Sequence, residues 1–361
     1  MNTLRLPAEW ELQEAIQIAF PSRQSDWLDY WKEIVPCYLN IIKVISSYQP
    51  LIIVCDEENE LRDYLEDADL SNIHIVEMPI NDTWARDHGA ITVEQGGEFL
   101  IYDFMFNGWG LKFAADKDNL ITKQLWEKGI YNTNDLVIPD LVLEGGSIES
   151  DGKGTLLTTA NCMLSPNRNP HFTQEEIEEK LIELFNLKRV LWLQHGHLQG
   201  DDTDAHIDTV ARFCDEKTIA YVQCTDVDEV HYMSLRKMEE ELEQFKTLDN
   251  EPYKLIPLPM ADAIYAPDDD RRLPATYANF LILNEVVLMP TYGIEQDDTA
   301  ISQLQKAFPD KNVIGIDCKA LLLQHGSLHC ITMQYPKGSL KLDNINTKTT
   351  EVLDLDEEVE Q

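Results

Sequence analysis

One pattern recurs five times along this chain, and it restricts the fold more than any other feature. Each copy opens with a polar or glycine-rich cluster and continues into an apolar strand, a tight turn and a second strand. The copies are WARDHGAITVEQGGEFLIYDF from Trp84, EGGSIESDGKGTLLTTANCML from Glu144, DTDAHIDTVARFCDEKTIAYVQC from Asp202, TYANFLILNEVVLMPTYG from Thr276 and the shorter QHGSLHCITMQYP from Gln324. In the middle copies the turn is Asp-Gly, Asp-Glu-Lys or Asn-Glu, which suits a hairpin. Helical patterns lie between the copies. TQEEIEEKLIELFNL opens with Thr173 at the N-cap and Glu176 three residues on, a capping box, and aligns Ile177, Leu181, Ile182, Leu184 and Phe185 in one stripe. HYMSLRKMEEELEQF from His231 behaves similarly. Short apolar strands follow at LIIVC, IHIVEM, RVLWLQ, YKLIPL and NVIGID.

Units of helix, strand and hairpin spaced by roughly 50–75 residues predict an α/β fold closed into a ring of five modules. The polar cluster opening each hairpin then lies on a central face, where distant segments converge. The alternative is an open, doubly wound α/β protein. No linker divides the chain, so residues 1–345 are expected to form a single domain and 346–361 an acidic tail.

Composition narrows the partners. A net charge of −36 excludes electrostatic attraction to nucleic acid or an anionic membrane and favours cations, including small cationic substrates. The seven cysteines show no CxxC spacing, and the N-terminal residues show no signal peptide. No apolar run approaches the roughly 20 residues of a membrane span. A cytoplasmic protein with reduced thiols is expected. His195 and His197 form an HxH without partners at metal-ligand spacing, so no metal and no cofactor are expected.

Taken as one site, the five openings supply Asp87 flanked by Trp84 and Arg86, Glu144, His206 with Asp208, Asn279, and Cys330 beside His329. A thiol with an ordinary pKa of about 8.5 needs a basic or cationic neighbour to ionise near neutral pH. His206 can supply that and can then protonate a leaving group. Carboxylates cannot stay buried and unpaired, and a planar guanidinium matches them two at a time while offering an electrophilic carbon. His206 and Asp208, two apart, would share one face of a strand. Asp202 and Asp204 read as supporting or turn-forming groups. The competing readings are structural: a core Trp84, an ion-paired Arg86 and a Cys330 that is only a small hydrophobe, as the other six cysteines are expected to be.

These motifs resemble those of the agmatine deiminase / bacterial-type peptidylarginine deiminase family, within the guanidino-group-modifying superfamily. NDTWARDHGAI, EGGSIESDGKGTLLTT, GDDTDAHIDTVARF, YANFLILNEVVLMPTYG and HGSLHCITMQYP match in the family's order. The resemblance implies a five-bladed α/β propeller (pentein). It also implies Cys330 as nucleophile, His206 as general acid/base, and Asp87 and Asp208 as the grip on the guanidinium. Trp84, Arg86, Glu144 and Asn279 are expected at the substrate-binding site, Glu144 and Asn279 as supporting or substrate-lining residues. QHGSLHC and EGGS depart from the frequent GGGNIHC and EGGN. The expected reaction is hydrolysis of agmatine to N-carbamoylputrescine and ammonia. Peptidylarginine is the second candidate, and a non-catalytic binder of cations or a Cys-His amide hydrolase stands outside the class. Homo-oligomers are possible. Free arginine would need a basic anchor, for which only the pair Arg271 and Arg272 offers itself.

Overall fold

In the computed structural model, which describes residues 4–346, the chain forms five small sheets arranged as an α/β propeller, with a separate two-stranded ribbon of Ile264–Tyr265 and Arg272–Leu273. Beyond Asn346, the acidic tail expected at 346–361 lies outside the described residues.

Each blade repeats one connection. In the third, Ile148–Ser150 pairs antiparallel with Thr155–Thr159, helix Gln174–Phe185 crosses over, and Arg189–Leu193 returns parallel to Thr155–Thr159. A parallel return needs a connection of a dozen residues or more, and the helix supplies it. The capping box of Thr173 and Glu176 forms, and Asn186 ends the helix in the left-handed region at φ 52°. Of the expected stripe Ile177, Leu181 and Phe185 are buried while Ile182 and Leu184 are half-buried, each full removal from water worth about 1.5–3 kcal/mol. The fourth blade repeats this with Ala211–Asp215, Thr218–Gln223, helix Tyr232–Gln244 and Lys254–Pro259. The fifth uses Leu281–Ile282, Val286–Thr291, helix Gln296–Leu304 and Asn312–Asp317. The second uses Ile91–Gln95, Glu98–Tyr102, helix Ile121–Glu127 and Leu136–Val137, with Leu4–Arg5 added outside Ile91–Gln95.

The remaining blade explains why the last sequence copy is short. Thr332–Pro336 finds its antiparallel partner in Gln13–Ala19, at the other end of the chain. Helix Trp31–Ser46 then leads to Leu51–Cys55 and Ile73–Glu77, both parallel. The ring is therefore closed by a sheet shared between the two ends of the described chain.

The polar openings occupy equivalent places. Short helical turns at Ala85–His88, Gly145–Ser147 and Ile207–Thr209 lie directly before the first strand of a blade or one or two residues from it, and Asn279 and Cys330 stand two residues before theirs. His206 and Asp208 are therefore not on a strand, as their spacing suggested. Thr209 donates to the His206 carbonyl through both its backbone N–H (3.2 Å) and its hydroxyl (2.7 Å), which closes a 3-10 turn there.

Candidate active site

Four of these turns bring their side chains to one point. Gly146 marks it: a Cβ on that residue would lie 2.6 Å from His206 Nδ1, 2.8 Å from Asp87 Oδ1 and 3.1 Å from Asp208 Oδ2. Only a residue without a side chain lets the three groups converge. Cys330 Sγ lies 4.0 Å from Asp208 Oδ2 and 3.3 Å from Asn279 Oδ1. All are buried, and His206, Asp208 and Asn279 have no exposed surface at all.

Each group is held from behind. Asp87 Oδ1 accepts from the Gly146 N–H (3.0 Å) and Asp87 Oδ2 from the Trp109 indole (2.9 Å). His206 Nε2 meets Glu144 Oε2 at 3.0 Å, and Glu144 is fixed by both of its oxygens to Arg168 Nε. Arg168 reaches on to Asp204, which also pairs with Lys112. His329 lies between Asp208 (2.7 Å from Nδ1) and Glu9 (2.7 Å from Nε2). Asn279 Oδ1 accepts from the backbone N–H of His329 and of Cys330, and its amide donates to the Asp208 carbonyl. His206 Nδ1, 3.5 Å from Asp87 Oδ1, and Asp208 Oδ1 are buried there without a hydrogen-bond partner. An acceptor and an imidazole nitrogen left unpaired in a buried site point to a bound group that uses them.

The electrostatics follow from burial and neighbours. Burial, then the charges of Asp208 and Asp87, push the Cys330 thiol well above its ordinary value. Burial likewise raises Asp87, to about 6, with His206 opposing. For His206 burial favours the neutral ring, but Asp87, Cys162 and Glu144 outweigh it and hold the imidazole protonated well above its usual range. Asp208 experiences the same burial cost and is brought below the carboxylate range by His329. The resting site is thus a neutral thiol beside an imidazolium and carboxylates, and arrival of a cation would favour the thiolate.

A pocket of about 500 Å³ including its mouth leads down to Cys330 and Asp87 between Trp84, Trp109 and Phe113. The Trp84 ring packs so closely on Gly326 that a Cβ there would stand 2.2 Å from it. Asp201, Asp202 and His325 line the mouth, and no lysine or arginine among the described residues does. Arg271 binds Asp268, Asp269 and the Leu323 carbonyl, and Arg272 binds Glu229. Neither supplies the anchor that free arginine would require.

The structure thus gathers Cys330, His206, Asp87, Asp208, Glu144 and Asn279, with Trp84 on the pocket wall. It does not gather Arg86, whose guanidinium turns away from the thiol toward Gln334 and Glu9. Cys162, expected to be purely structural, lies 3.6 Å from Glu144 Oε2. Trp109, Arg168 and Glu9 escaped the sequence reading, since none belongs to a repeat opening. Two groups have metal-ligating spacing, Glu144–Cys162–His206 and Glu9–Glu149–His329, but Arg168 in one and Arg212 in the other already bind the carboxylates. His195 and His197 are bound to Glu241 and Ser234.

Comparison with known proteins decides the family. Residues 5–336 match the family model described as Porphyromonas-type peptidyl-arginine deiminase. The chain belongs to that family. Among solved structures similar to it, a Porphyromonas gingivalis chain named as a "putative arginine deiminase" is 47% identical with a TM-score of 0.89, covering 94% of this chain and 100% of its own. An agmatine deiminase of C. jejuni with substrate bound is 37% identical at a TM-score of 0.87, covering 94% and 98%. An agmatine deiminase of Pseudomonas aeruginosa (strain LESB58) is 30% identical over 357 residues, 92% of this chain and 95% of that one. The pentein fold and the deiminase class read from the motifs hold, and this family member is a hydrolase of guanidino C–N bonds.

Proposed function

We propose that the protein is an agmatine deiminase, converting agmatine to N-carbamoylputrescine and ammonia. The observation that carries this is the convergence of two buried carboxylates and an imidazole on one point beside a thiol. A guanidinium seated there meets Asp87 and Asp208 and presents its carbon to Cys330 Sγ. Its positive charge stabilises the thiolate, whose proton passes to solvent as the cation enters. The thiolate adds to the central carbon. His206 gives its proton to one amino group, which departs as ammonia and leaves an S-alkylthiouronium on Cys330. A water then adds while the now neutral His206 takes one of its protons, and the tetrahedral adduct collapses to the ureido group, its remaining hydroxyl proton passing to the departing sulfur and restoring the Cys330 thiol. Asp87 and Asp208 stabilise the cationic intermediate. Glu144, itself held by Arg168, keeps His206 oriented and cationic for the first proton transfer.

The far end of the substrate selects agmatine. Asp202, at the pocket mouth with a side chain 42% exposed, offers a carboxylate to a terminal ammonium. The absence of lysine and arginine from the lining disfavours the α-carboxylate of free arginine. A cytoplasmic setting accords with a small metabolite as substrate, and no helix of the described residues is long and apolar enough to cross a membrane. The test is ammonia and ureido product from purified protein given agmatine, arginine and an arginine peptide in parallel, with Cys330→Ala as control. Agmatine turnover that disappears in the variant is expected. Turnover of arginine or peptide alone would overturn the substrate, and turnover surviving in Cys330→Ala would overturn the mechanism.

A further inference from the structure

Away from the thiol, the propeller contains a second cavity of about 670 Å³ including its mouth. It shares no lining residue with the pocket above Cys330. Leu6, Ile91, Ile148 and Met333 give it apolar walls. Three carboxylates on its lining are already matched, Glu9 and Glu149 by Arg212 and Glu11 by Arg5, and Gln13 donates to the Glu9 and Ile282 carbonyls; the other two buried polar side chains there are Arg86 and Thr92, 4% and 5% exposed. Both retain polar atoms without a hydrogen-bond partner: Nε and Nη2 of Arg86 and Oγ1 of Thr92.

The two free nitrogens of Arg86 share one edge of the guanidinium, the edge that receives both oxygens of a carboxylate. Nη1 donates to Gln334 Oε1 at 2.6 Å, which fixes the plane. Charge pairing makes the vacancy in this fork specific. The neighbouring Arg212 is bound to both Glu9 and Glu149. Glu9 also serves His329, and its Oε2 stays 3.9 Å from Arg86 Nη2, beyond hydrogen-bond reach. Arg86 is thus a buried cation whose hydrogen-bonded partners are a neutral amide and the Met333 sulfur. Buried charges are ordinarily paired.

We propose that this cavity binds a small carboxylate, gripped at two points by Arg86 Nε and Nη2 and at a third by the Thr92 hydroxyl. The occupant would adjoin the catalytic segment. The Arg86 backbone N–H donates to the Cys330 carbonyl at 3.1 Å, and Asp87 is the next residue.

The experiment is a titration of the purified protein with sodium formate, read as melting temperature against sodium chloride at equal ionic strength. A saturable rise with formate and none with chloride is expected. Thr92→Val should weaken apparent formate affinity about tenfold, the worth of one hydrogen bond to a charged group. Arg86→Met should abolish the rise, and Cys330→Ala should retain it. No saturable rise in the parent protein would overturn the proposal. So would a formate response that Thr92→Val leaves unchanged, a comparison that decides even if Arg86→Met fails to fold. A response lost in Cys330→Ala would assign the anion to the other pocket and refute the site equally.

Discussion

Gly146→Ala tests the site with a single methyl group. Gly146 does not have the positive φ that would make alanine strained, so the backbone accepts the change. The added Cβ would stand 2.6 Å from His206 Nδ1 and 2.8 Å from Asp87 Oδ1. Ordinary contact there needs about 3.4 Å, so the imidazole and one carboxylate must each retreat by roughly half an ångström or more. They cannot retreat freely: His206 is anchored by Glu144, and Asp87 by Trp109 and by Gly146 itself. Overpacking of this kind costs about 1–3 kcal/mol of stability, a melting shift of only a few degrees in a chain of this size. Catalysis should lose far more, because displacement by about 1 Å alone costs on the order of 100-fold and here two reacting groups move. Steady-state ammonia release from agmatine should therefore fall by roughly 100- to 1000-fold in kcat/KM, while circular dichroism and cooperative unfolding persist. An alanine variant turning over within threefold of the parent would show that the three groups do not act together at this point, and the proposed guanidinium position would be wrong.

Other outcomes follow from the same geometry. Arg168→Met strands the buried Glu144 without its cation and should cost about 3–5 kcal/mol in urea-induced unfolding; a loss below 1 kcal/mol would mean Glu144 relaxes to another partner. Asp87→Asn should abolish turnover yet stabilise the fold at neutral pH. Burial raises the folded carboxyl to about 6 from 3.8, so between those values the folded chain keeps a proton that the unfolded chain releases. That contribution to stability falls as pH rises from about 4 to 6 and is a constant penalty above, on the order of 3 kcal/mol with the opposing charge of His206 already included. Unfolding midpoints of variant and parent should converge toward pH 4 and separate above 6, and a parent more stable at pH 7 would contradict this. Because the resting thiol is neutral, a cationic haloacetamidine should alkylate Cys330 at pH 7 at least 100-fold faster than neutral iodoacetamide; equal rates would show a thiolate already formed without a cation. Trp109→Phe, which removes one donor to Asp87, should lower kcat/KM about tenfold, and an unchanged value would limit Trp109 to a wall of the pocket.

Much of this was legible in the sequence because the fold repeats. Asp87, His206, Asp208, Asn279 and Cys330 each occupy the opening of a copy, and equivalent positions in a closed ring must converge. Arg86 misled for a local reason. On the short helix Ala85–His88 successive side chains diverge by about 100°, so only one of the Arg-Asp pair can face the thiol. Glu144, expected as a supporting or a substrate-lining residue, stands behind His206, a depth that a linear motif does not encode. Trp109, Arg168 and Glu9 arrive from irregular segments between or before the blade strands, where no periodicity marks them. The strand QEAIQIA was missed because its partner is 300 residues away in sequence, beyond any hairpin signal.

The sheet that joins Thr332–Pro336 to Gln13–Ala19 makes assembly and competence the same event. Cys330 stands two residues before the closing strand, so a chain still emerging from the ribosome has no nucleophile aligned with the carboxylates and the imidazole. Every residue between Gln13 and Pro336 must be synthesised before the two strands can meet, and this long-range pairing makes closure a late step. A product ending before residue 330 lacks both the closing strand and the thiol, so synthesis itself delays the chemistry until the ring is whole.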